Sequence, residues 1–93
     1  MTEKKPAFYV QSGKAKLKNV GGDKALYVGE QKAIHVLNPT AYLMYEAIRE
    51  PITFEELVLV IREVTRGDEK AIRHDLKETL DLFLKYDVVK IAG

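Results

Sequence analysis

The sequence predicts an α+β domain: a three-stranded antiparallel β-meander, then a three-helix bundle, then a short C-terminal strand. Three observations predict it. Before Asn38, short β-prone runs alternate with glycine-containing turns. From Asn38-Pro39-Thr40-Ala41 onward, apolar residues recur at helical spacing with little slack between segments. The final run, Val88-Val89-Lys90-Ile91, returns to β-prone residues.

Residues 1–6 read as a lead-in, charged and ending in Pro6. They have no apolar segment behind the charges and so do not form a secretory signal. Residues 7–19 carry apolar positions at Phe8, Val10, Ala15 and Leu17, and Ala15 to Lys18 alternates apolar and lysine, the period of a half-buried strand. Gly21-Gly22-Asp23 is a turn signal, because glycine adopts positive φ at little cost. Ala25–Val28 is the second strand, Gly29-Glu30-Gln31-Lys32 the next turn, and Ala33–Leu37 the third strand. Short connections make neighbours antiparallel, with the second strand central and the others at the edges.

The first helix is predicted from about Pro39 to Arg49. Asn38 caps it and Pro39 occupies its first turn, where a missing N–H costs nothing. Ala41, Met44, Tyr45 and Ile48 form its apolar stripe, and Glu50-Pro51 ends it. Thr53-Phe54-Glu55-Glu56 matches a capping box for a second helix, with Leu57, Val60, Ile61 and Val64 expected inward and Gly67 as its stop. Asp68 caps a third helix reaching about Tyr86, with Ile72, Leu76, Leu80 and Phe83 inward. Three helices with tight turns followed by a strand resemble a winged helix-turn-helix with an appended sheet.

The chain has 93 residues, which predicts one domain spanning 1–93. Its 46% hydrophobic and 31% charged content fits a globular protein. The formal net charge of +1 gives no global electrostatic case for nucleic acid. Absence of cysteine excludes disulfides and thiolate chemistry and is compatible with a reducing cytoplasm, the expected location. The longest aliphatic run, Leu57–Ile61, is far below the roughly 20 residues of a membrane span.

No catalytic constellation emerges. His35 and His74 are isolated from each other, and a metal site needs three or four ligands. Both are read as surface residues. Asp75 adjoins His74, but neighbouring helical residues do not face each other. Ser12 is the only serine and lies in no nucleophile motif. The glycines form no phosphate-binding loop ahead of a helix. No enzyme activity, cofactor or metal is therefore expected.

Two features could carry binding. The edge strand Ala33–Leu37 is apolar except for His35, whereas edge strands are normally protected by charge, proline or brevity. It could accept an extended peptide by strand addition, or be covered by the N-terminal segment or a second subunit. The other feature is the polar side of the third helix, with Lys70, Arg73, His74 and Lys77. In a winged helix such a face can meet phosphates, but Glu69, Asp75, Glu78 and Asp81 interleave with the bases.

The stretch from Val36 to Ile91 resembles the coenzyme PQQ (pyrroloquinoline quinone) synthesis protein D family, the founding peptide-recognition elements of ribosomal-peptide biosynthesis. The resemblance lies in Leu37-Asn38-Pro39-Thr40-Ala41 leading into a helix and in Ile52-Thr53-Phe54-Glu55-Glu56-Leu57-Val58 opening the next. It continues in the long helix with Asp75-Leu76, Leu80 and Phe83-Leu84, and in the terminal Val88-Val89-Lys90-Ile91. It implies a non-catalytic adaptor that binds the leader of a precursor peptide and presents it to a modifying enzyme. That enzyme is often a radical enzyme using S-adenosylmethionine and iron–sulfur clusters.

The resemblance further implies that the leader adds to the third strand and lies between it and the third helix. On the strand side this implies Ile34, His35, Val36 and Leu37. On the helix side it implies Ile72, Arg73, Leu76, Lys77 and Leu80, with Leu76 and Leu80 also suited to the core. Basic residues at that rim would suit acidic leader side chains. Two departures bear on the pathway rather than the fold. Gly29-Glu30-Gln31-Lys32 replaces the usual Pro-Glu-Gly turn, and the second helix lacks an alanine-rich tract. A winged-helix DNA-binding regulator and a homodimer paired through edge strands are the alternative readings.

Overall fold

The computed structural model describes residues 6–92; the expected lead-in falls mostly outside the described residues. In chain order the elements are β1 (Phe8–Gln11), β2 (Ala15–Val20), β3 (Asp23–Val28), β4 (Ala33–Leu37), α1 (Pro39–Ala47), β5 (Ile52–Thr53), α2 (Phe54–Thr65), α3 (Glu69–Lys85) and β6 (Val89–Ala92). The fold is α+β, as the sequence predicts, but it has two three-stranded antiparallel sheets rather than one.

The meander is β2-β3-β4, with β3 central. Val20 pairs with Asp23 across a two-residue turn, where Gly21 and Gly22 have φ of 56° and 91°. Positive φ at both positions suits the right-handed twist of the strands. In the second sheet, β1 lies between β5 and β6. Residues 7–19 are thus two strands, divided at Ser12-Gly13-Lys14, with Gly13 at φ 83°. Their alternation fits either sheet, and the distant partners Ile52–Thr53 and Val89–Ala92 determine where Phe8–Gln11 pairs. The Gln11 N–H donates to the Ile48 carbonyl (3.0 Å), and the Ser12 N–H donates to that of Val88 (3.0 Å). These bonds fix β1 to the helical half.

Local chemistry sets the helix starts. Asn38 Oδ1 accepts from the Ala41 N–H at 2.8 Å, with Pro39 in the first turn. Thr53 and Glu56 form both bonds of a capping box. Asp68 Oδ2 accepts from the Ala71 N–H at 3.1 Å. The stripe Ala41, Met44, Tyr45 and Ile48 is buried against Leu57, Ile61, Ile72, Leu76, Leu80 and Phe83.

Two readings of α2 are corrected. Val60 and Val64 are exposed, and Val58 joins Leu57 and Ile61 in the core. The uninterrupted run Leu57–Ile61 satisfies two helical phases, and packing selects the one containing Val58. The left-handed residue that ends α2 is Arg66, at φ 54°, rather than Gly67.

Candidate functional site: a groove beside the β4 edge

Among the described residues, β4 pairs only with β3, so its other edge offers free backbone groups. The opposite edge of the meander, β2, carries Lys16 and Lys18, the charged protection typical of edge strands. β4 has no charged residue, and Ile34 and Val36 are 58% and 63% exposed on the outer face of the sheet. His35 and Leu37 occupy the inner face, paired with Leu26 and Lys24 of β3.

Beside this edge lies a groove of about 410 Å³ between β4 and α3. Its apolar lining comes from Leu26, Leu37, Ala41, Leu82, Phe83 and Val88. Leu82 is 48% exposed although it lies on a helix face turned to the sheet, so part of the groove wall is open to solvent. Tyr86 bounds one end. Its ring centroid lies 4.1 Å from that of His35, and its carbonyl accepts from Gln31 Nε2 at 3.0 Å. His35 is half-buried rather than a surface residue, and its Nε2 is buried without a hydrogen-bond partner among the described residues. The other end, past Asn38 and Thr79, continues into a polar cleft of about 220 Å³ that also includes Thr40, Asp75 and Glu78.

Ile34, His35, Val36 and Leu37 all line the groove. Ile72, Leu76 and Leu80 instead lie in the core. Arg73 faces α2: its guanidinium donates to both Glu55 carboxylate oxygens at 2.7 and 2.6 Å and to Glu69 at 3.3 Å. Hydrogen bonding to Glu55 raises the Arg73 pKa and lowers that of Glu55. Lys77, one turn beyond Arg73, shares that side of the helix and lines neither cleft.

The residues of α3 that line the groove are Thr79, Leu82 and Phe83, with Tyr86 just past its end, and Asp75 and Glu78 line the adjoining polar cleft. The charges of that cleft are acidic, whereas the rim implied by the resemblance is basic. The signal was present in the sequence: with Leu76 and Phe83 inward, Thr79, Leu82 and Tyr86 fall on one flank and Arg73 and Lys77 on the other. Choosing the flank required knowing on which side β4 lies.

No family profile matches the chain, and no curated protein sequence matches it. The fold is similar to that of TbiB1 in complex with the TbiA(beta) leader peptide, with a TM-score of 0.74 and 14% sequence identity. The match covers 90% of this chain and 98% of that one. Among the described residues no helix is long and apolar enough to cross a membrane, and no group of three or more acidic or histidine side chains could hold a metal ion.

Proposed function

We propose that the chain is a non-catalytic adaptor that binds the leader of a ribosomally made precursor peptide and presents it to a modifying enzyme. The guest adds as a strand to β4, and its side chains enter the groove beneath. The observation that carries this reading is the uncharged β4 edge beside an apolar groove. Backbone hydrogen bonds would supply affinity and the groove would set register. The likeness to a protein solved with a leader peptide supports the same occupant. A radical enzyme using S-adenosylmethionine is the modifying partner this reading favours.

Random peptides of about twelve residues displayed on phage, selected on the whole chain, test the reading. Enriched sequences are then synthesised and titrated into isotope-labelled protein. The reading expects saturable binding with amide shifts concentrated in 33–37 and on the groove side of α3. Failure to enrich any binder, or shifts confined elsewhere, contradicts it.

A further inference from the structure

We infer that the guest is apolar at consecutive positions, on both of its faces, and carries a basic side chain where it passes the Leu37 end of β4. The inference rests on the strand-addition reading and specifies the chemistry of the peptide.

Strand geometry gives the first part. Successive side chains of an added strand point to opposite sides of the sheet. On the inner side they meet the groove formed by Leu26, Leu37, Leu82 and Phe83. On the outer side they lie next to Ile34 and Val36, the most exposed aliphatic residues of the meander. A half-buried strand alternates apolar and polar residues, but a guest here meets apolar neighbours on both sides. Cross-strand pairing with Ile34 and Val36 favours β-branched or aromatic residues at the outward positions.

Charge complementarity gives the second part. At the Asn38 end the groove runs into the cleft that contains Asp75 and Glu78. Glu78 lies 3.2 Å from His74, and Asp75 has no ion-pair partner among the described residues. Lys24 is the closest base by register, pairing with Leu37, but its ammonium donates to Asn19 Oδ1 at 2.6 Å and lies over the Tyr42 ring. Of the bases of α3, Arg73 is held by Glu55 and Lys77 lines neither cleft, while Lys85 lines a separate surface cleft with Glu78; no base lines the cleft that holds Asp75 and Glu78. An apolar peptide with Lys or Arg at this end fits the groove and the cleft together.

The test uses the selected peptides and their variants. Serine at the outward positions should weaken binding about two- to fivefold per site, the range of one cross-strand pair. Replacing the basic residue by Glu should weaken it by a comparable factor, and more at low salt. The double variant Asp75→Lys, Glu78→Lys should reverse the preference, so that the Glu peptide binds better than the Lys peptide. Circular dichroism confirms that the variant is folded; should it unfold, Asp75→Asn with Glu78→Gln must abolish the preference. Peptides that bind at β4 with no charge preference, a preference for acidic residues, or tolerance of outward serines would overturn the inference while leaving strand addition intact. Absence of any β4 binder would instead defeat the adaptor reading on which it rests.

Discussion

The His35 ring lies 4.1 Å from the Tyr86 ring, tilted by 31°, and joins the middle of β4 to the last turn of α3. This contact sets the spacing of strand and helix at one end of the groove. Tyr86→Ala should therefore cost at least about 0.5–1.5 kcal/mol in urea unfolding, the ring pair alone, and weaken peptide binding, because the strand loses its support. Tyr86→Phe keeps the ring and should change neither by more than about 0.5 kcal/mol.

The buried, unpartnered Nε2 of His35 has a stability consequence of its own. An unsatisfied buried polar atom costs about 1–3 kcal/mol, and an apolar group of similar shape removes that cost. His35→Phe should raise folding stability by roughly 1 kcal/mol. A loss of stability in the same assay would contradict this expectation.

Most of the fold is legible in the sequence because its punctuation is local. Asn38-Pro39, Thr53 with Glu56, and Asp68 each satisfy helix amides from within one turn, so the helix starts follow from adjacent residues. The partner of Phe8–Gln11 is not local, since Val89–Ala92 lies at the other end of the chain. The site was half legible for the same reason. The β4 edge is marked by missing charge in five consecutive residues, whereas the groove side of α3 depends on how the helix is rotated against a strand far away in sequence. Helical spacing puts Leu82 and Tyr86 on one flank and Arg73 and Lys77 on the other, and only that rotation tells which flank faces the strand.

The two flanks of α3 make opposite predictions for binding. Leu82→Glu places a charge in the groove wall at a partly exposed position, so it should weaken a selected peptide at least about tenfold while the protein stays folded. Lys77→Ala lies outside the groove and should leave affinity unchanged. Calorimetric titration of both variants separates the flanks.

Arg66 adopts the left-handed conformation, which favours glycine, at φ 54°. Arg66→Gly should stabilise the chain by about 0.5–1 kcal/mol in denaturant unfolding, relieving the conformational cost at the α2 terminus. A destabilised variant would indicate that the arginine side chain makes a compensating contact.

The Glu55–Arg73 pair predicts a pH dependence. Hydrogen bonding to Arg73 holds the folded-state pKa of Glu55 below its ordinary value of 4.5. A depressed carboxyl pKa gives stability that is complete above the unfolded value and is lost as pH falls through the folded one. The melting-temperature gap between the parent and Glu55→Gln should therefore be constant near neutrality and shrink below about pH 4.5. Both carboxylate and guanidinium are on the surface, so the gap should also narrow with added salt.

Amide hydrogen exchange across Ala33–Leu37, with and without a saturating selected peptide, tests the open edge most directly. Only alternate β4 amides point away from β3, so those should exchange quickly in the free protein and slow markedly with the peptide bound. Protection of the same amides before any peptide is added, or no change at saturation, would contradict an open edge.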